Sequence, residues 1–127
     1  MKPQEDNLNW FEIPARDIER AARFYETIFG IRMRRQNVKG TEMAIFPART
    51  GNGKAVGGLA KSELHRPNME GPKIYLNGNP DLSAALDRVE EAGGKVTMPK
   101  TKISDELGYM AFFVDTEGNG MALHSSD

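Results

Sequence analysis

The chain opens on two different periodicities placed side by side. Over residues 8–13, Phe11 and Ile13 alternate with Leu8, Trp10 and Glu12, the two-residue period of a strand with distinct faces. From Ile18 the period lengthens. Ile18, Ala21, Ala22, Tyr25, Ile28 and Phe29 recur at three- and four-residue steps, while Arg16, Glu19, Arg20, Arg23 and Glu26 fall on the other side. That pattern predicts an amphipathic helix packed on the Phe11/Ile13 face of the strand. Asp17 is the expected N-cap and Gly30 the expected left-handed stop.

Strand-like segments follow at 33–38, 41–47 and 55–62, with the turn pair Lys39-Gly40 and a loop at 48–54 between them. Gly57 and Gly58 weaken the last of these and suggest a bulge or a close backbone approach. Residues 63–71 hold Pro67 and no periodicity, and read as a surface loop or linker. His65 within it reads as a solvent-exposed loop residue.

The pattern then restarts. Residues 72–78 alternate Ile74 and Leu76 against Lys73, Tyr75 and Asn77. Asp81 is the expected cap of a second helix carrying Leu82, Ala85, Leu86, Val89 and Ala92, closed by Gly93 and Gly94. Three strands come next, at 95–103, 108–115 and 121–125. Met110, Phe112 and Val114 against Ala111 and Phe113 imply that the middle one is buried on both faces. Asp17, Ile18, Ala21, Tyr25 and Gly30 match Asp81, Leu82, Ala85, Val89 and Gly94 at a constant offset. Strand, helix and three strands therefore occur twice, the mark of an internal duplication.

Composition narrows the function. The 127 residues are 39% hydrophobic and 28% charged, with a net charge of −1. That balance suits a globular domain and gives no basic footprint for nucleic acid. Cysteine is absent, which removes thiol chemistry and thiolate metal sites and fits a reducing compartment. No apolar run approaches the roughly 20 residues of a membrane span, and residues 1–7 hold no signal core. The expectation is a cytoplasmic protein without membrane or nucleic-acid partners.

Three stretches carry a family resemblance. Phe11-Glu12-Ile13-Pro14, the helix run Arg20-Ala21-Ala22-Arg23-Phe24-Tyr25, and the turn Asp115-Thr116-Glu117-Gly118-Asn119 resemble the vicinal oxygen chelate superfamily. It includes glyoxalase I, extradiol dioxygenases and bleomycin-resistance proteins; the likeness is strongest to bacterial proteins related to lactoylglutathione lyase. The resemblance implies an α+β fold: two paired βαβββ modules forming an open eight-stranded, barrel-like cup with helices outside, often as a homodimer. On that reading residues 1–127 form one domain, with module one at about 8–62, a linker at 63–71 and module two at about 72–126.

The superfamily's metal ligands come from the first and last strands of each module. Carried over, those positions hold Trp10, Lys73, Ala122 and a residue within 57–59. Indole N–H and ammonium groups are donors only, so the expectation is no metal and no other cofactor. Glu12 and His124 share faces with Trp10 and Ala122, and are the candidate pair for metal-free acid/base chemistry of a lyase or isomerase. Trp10, Lys73, Tyr75 and Asn77 are the candidate lining of a small-molecule site, with Lys73 favouring an anionic or carbonyl-bearing ligand. The alternative for Trp10 is that it fills the cup, as in a dimeric accessory protein that binds nothing there.

Overall fold

The computed structural model describes residues 2–3, 6–48 and 55–127; most of the loop expected at 48–54 lies outside the described residues. The elements are β1 (Trp10–Pro14), α1 (Ile18–Phe29), β2 (Arg34–Val38), β3 (Thr41–Ile45), β4 (Val56–Lys61), β5 (Tyr75–Asn77), α2 (Ser83–Leu86), β6 (Lys95–Ser104), β7 (Gly108–Val114) and β8 (Gly120–Ser125). They form two four-stranded mixed sheets, ordered β1-β4-β3-β2 and β5-β8-β7-β6. In each, the first and last strands pair in parallel and the remaining pairs are antiparallel. The duplicated α+β architecture is the one the resemblance implied. The two sheets do not close into one barrel within the chain.

Each strand keeps one face for a common core. Ile13, Ala44 and Leu59 of the first sheet, Leu76, Ala111, Phe113 and Leu123 of the second, and the apolar stripes of both helices belong to a single buried cluster. Helix α1 lies between the sheets. Its Phe24 and Tyr25 rings meet Phe113 of β7 at centroid separations of 5.9 and 6.5 Å. Both sheets thus turn their helix-bearing faces inward, and their other faces lie on the outside of the chain.

Helix α1 ends as its sequence predicts. Asp17 accepts a hydrogen bond from the Arg20 amide at 3.0 Å, and Gly30 takes φ 63° and closes on the Glu26 carbonyl. The second helix differs. Only Ser83–Leu86 is regular, and many of the following turns close by i→i+3 bonds such as Val89 to Leu86. The expected apolar residues Leu82, Ala85, Leu86 and Val89 are all buried, so the face was set correctly while the helical spacing was not held. Asp81 accepts from the Ser83 amide and from Lys100 Nζ, both at 2.9 Å. The Lys100 bond, with help from Ser83, pulls its carboxyl down to about 2.

The Asp115–Asn119 turn ties the two halves together. Glu117 Oε1 accepts from the backbone amides of Arg16 and Asp17, at 2.7 and 2.9 Å, at the mouth of α1. Arg20 adds a forked contact, Nε to Oε2 at 2.7 Å and Nη2 to Oε1 at 3.0 Å. Burial pushes the Glu117 carboxyl up, but these donors outweigh it and hold the group below the usual carboxylate range. Asp115 accepts from Tyr25 Oη at 2.7 Å and from the amides of Glu117 and Asn119. Asn119 Nδ2 donates to the Pro14 carbonyl at 2.7 Å. Burial, then the neighbouring Asp115 charge, raises the Tyr25 phenol well above its ordinary value.

Candidate functional site

The strand registers assign every candidate residue to a face. On the first sheet, Trp10 pairs with Val56, Glu12 with Gly58, and Ile45 with Gly58, so these share the outer face. A small separate cluster of Met43, Ile45, Val56 and Ala60 is buried there. On the second sheet, Tyr75 pairs with Ala122 and Asn77 with His124; Phe112 and Met110 continue those rows on β7. The outer face of the second sheet is therefore Lys73, Tyr75, Asn77, Met110, Phe112, Ala122 and His124. Met110, Phe112 and Val114 are only partly buried, in contrast to the expected two-sided burial of β7. Its inner residues Ala111 and Phe113 carry the packing, and nothing among the described residues fully covers the outer ones.

Trp10 and Tyr75 stand well out of the core, 43% and 46% exposed, so Trp10 is not a core filler within the chain. Lys73 Nζ lies 5.2 Å from the centroid of Phe112, whose ring is 6.0 Å from that of Tyr75. Asn77 Oδ1 accepts from the Asn79 amide at 2.9 Å, leaving its NH2 group free to donate. A groove of about 910 Å³ runs between β1 and β5, and Lys73, Tyr75 and Asn77 border it with Leu8, Phe11 and Phe46. Trp10 does not line it. The four candidate ligand-binding residues thus divide: three lie together on the second sheet, and Trp10 is on the first.

Glu12 and His124 are likewise on different sheets, and each has another partner. Glu12 accepts from Trp10 Nε1 at 3.0 Å and meets His65 Nε2 at 2.6 Å. The His65 hydrogen bond, followed by that of Trp10, holds the Glu12 carboxyl below its usual range despite some burial. His124 donates from Nε2 to the Leu107 carbonyl at 2.5 Å. His65 is not the free loop residue expected. It is partly buried between Glu12 and Ser62, whose Oγ lies 2.6 Å from Nδ1. A contact spanning 53 residues leaves no local trace in the sequence, so His65 and Ser62 were not legible as partners of Glu12.

The superfamily's metal positions are also fixed by register. Gly58 lies beside Glu12 and Ala122 beside Tyr75 on the outer faces, completing the set with Trp10 and Lys73. A hydrogen, a methyl, an indole and an ammonium do not fit a divalent cation, which needs about three lone-pair donors. Among the described residues no group of three His, Asp or Glu is placed to supply an alternative set. Gly58 itself is required by packing, because a Cβ there would strike the Ala44 backbone.

Two βαβββ halves about a shared helical core, with aromatic and polar residues on their outer faces, define a duplicated α+β fold. The chain belongs to the Glyoxalase/Bleomycin resistance protein/Dioxygenase superfamily, whose model matches residues 7–123. It is 32% identical over 119 residues to a glyoxylase-like domain-containing protein of Didymella fabae, covering 91% of each chain. It is 30% identical over 128 residues to the anthracycline biosynthesis protein DnrV of Streptomyces peucetius, covering 90% of this chain but 45% of that one. Among solved structures it resembles TnmS3, an antibiotic binding protein from Streptomyces sp. CB03234, with TM-score 0.67, 21% identity and 98% coverage of both chains. No helix among the described residues is long and apolar enough to cross a membrane.

Proposed function

We propose that this protein is a metal-independent small-molecule binding protein that works as a homodimer, its sites lying between the outer faces of opposite sheets. The observation that carries this reading is the outward direction of both sheets from one shared core, each with an exposed aromatic ring on its outer face. A two-fold operation lays the first sheet of one protomer against the second sheet of its partner, twice, and forms two equivalent cups. Each cup then has its helices on the outside. Trp10 comes from one protomer, and Lys73, Tyr75 and Asn77 from the other. Such pairing also covers strand edges, because among the described residues β1 pairs only with β4, and β5 only with β8.

The ligand follows from the lining. Lys73 has no ion-pair partner among the described residues and sits over the ring of Phe112, which in turn packs against Tyr75. An ammonium beside an aromatic pair favours a flat molecule with an anionic or carbonyl oxygen. A small organic ligand also agrees with the names of two Streptomyces proteins this chain resembles, an antibiotic binding protein and an anthracycline biosynthesis protein. Binding rather than turnover is favoured because Glu12 and His124, the pair considered for acid/base work, each bond elsewhere.

Sedimentation equilibrium combined with titration of 8-anilinonaphthalene-1-sulfonate, a flat aromatic anion, tests the proposal. The expected result is a dimer at micromolar concentration whose Trp10 emission changes saturably with the probe. A monomer at that concentration, or saturable binding that leaves Trp10 emission unchanged, overturns it.

A further inference from the structure

The Ser62–His65–Glu12 chain touches the proposed binding site through the Trp10–Glu12 hydrogen bond, and with a neutral imidazole its hydrogen bonds have one direction. Glu12 is held as a carboxylate and can only accept. The proton in the 2.6 Å contact with Glu12 Oε1 therefore sits on His65 Nε2. In neutral imidazole the other nitrogen is then a lone pair, and it faces Ser62 Oγ at 2.6 Å. The serine hydroxyl must donate to it. Ser62 Oγ also accepts from the Leu64 amide at 3.1 Å, which holds the hydroxyl oxygen in place against His65. Acid, imidazole and hydroxyl are thus aligned in the order that activates a serine nucleophile, with the two ring nitrogens exchanged relative to the usual arrangement.

Ser62 and His65 open on a depression of about 440 Å³, separate from the groove beside β5. Its charged rim is balanced, with Arg16 and Lys61 against Glu42 and Glu63. The size and absence of net charge suit a short, uncharged acyl compound.

We propose that Ser62 is a nucleophile activated by His65, with Glu12 as the positioning residue, and that this site transfers the acyl group of small carboxylic esters to water. This activity uses a different opening from the small-molecule site proposed above, the two being joined by the Trp10–Glu12 hydrogen bond. Ser62 Oγ bonds to the ester carbonyl carbon and the bond to the leaving alkoxide breaks. The serine proton passes through His65 Nδ1 to that alkoxide, releasing the alcohol. Water then attacks the acyl-serine carbonyl, its proton returns through His65 to Ser62 Oγ, and the carboxylic acid leaves.

Diisopropyl fluorophosphate, which phosphorylates activated serines with loss of fluoride, reports the nucleophile directly. Peptide mass spectrometry of the full chain is expected to locate the adduct on Ser62, with p-nitrophenyl acetate giving an acetyl adduct at the same residue. His65→Gln should slow labelling about 100-fold, the lower end of what general-base assistance supplies. Glu12→Gln should move the acidic limb of the labelling pH profile, which a purely structural role would leave in place. Circular dichroism and melting curves establish that each variant is folded. No adduct on Ser62 in the unmodified protein, or equal labelling rates in the folded His65→Gln variant, overturns the proposal.

Discussion

Glu117 is the side chain whose loss tests the architecture most sharply. It is buried, and it alone satisfies the side-chain-bonded amides of Arg16 and Asp17 at the start of α1. Glu117→Ala orphans both, at about 1–3 kcal/mol each. Arg20 adds little to that sum, because its guanidinium is half exposed and remains solvated when its partner is removed. The expected cost is therefore about 2–6 kcal/mol, read as a lower urea midpoint at unchanged m-value. Arg20→Ala should cost less, since the two backbone donors keep the carboxylate bonded. The pH dependence has a definite sign. A carboxyl held below its unfolded value contributes stability that is complete above the usual carboxylate range and lost as pH falls through its folded value. Glu117→Gln removes that contribution, so the gap between it and the natural protein should narrow on acidification. A Glu117→Ala variant as stable as the natural chain, or an Arg20→Ala variant equally damaged, would refute this account of how the halves are joined.

Further outcomes are expected from neighbouring residues. Tyr25→Phe should cost about 1–2 kcal/mol in urea unfolding, because Asp115 keeps its amide donors and loses only the phenol. Gly58→Ala should destabilise by about 1–3 kcal/mol, the usual cost of forcing atoms into a packed region, while the larger but exposed change Trp10→Phe should stay within about 0.5 kcal/mol. Elemental analysis of protein purified without added metal should find far less than one transition-metal ion per chain; stoichiometric metal held through dialysis against a mild chelator would contradict the donor-set argument. Lys73→Ala should weaken 8-anilinonaphthalene-1-sulfonate while leaving the melting temperature nearly unchanged, and equal affinity would remove Lys73 from the site.

Local order was legible where a single element decides it. Asp17, Gly30 and the Ile18–Phe29 stripe behave as their spacing predicts, because caps and helix faces depend on residues within a few positions. The parity of β1 was legible too, since Ile13 is fully buried and Trp10 is exposed. What could not be read was long-range. The Asp115–Asn119 turn matched a family signature, and its acids bond to the start and the side chains of α1. The backbone part of that bonding depends on amides about 100 residues away. His65 reached Glu12 from a stretch with no periodicity, and Met110 and Phe112 faced outward because two sheets share one core. No window of sequence contains that arrangement.

The central claim is that each ligand site combines Trp10 of one protomer with Lys73, Tyr75 and Asn77 of another. Mixing two inactive variants, Trp10→Ala and Tyr75→Ala, tests it directly. Each variant alone should bind 8-anilinonaphthalene-1-sulfonate weakly or not at all. After co-refolding, a mixed dimer contains one cup with both residues lost and one cup intact, so binding should return at one site per mixed dimer with the natural affinity. No recovery in the mixed dimers would contradict a shared site, as would full binding by either variant alone.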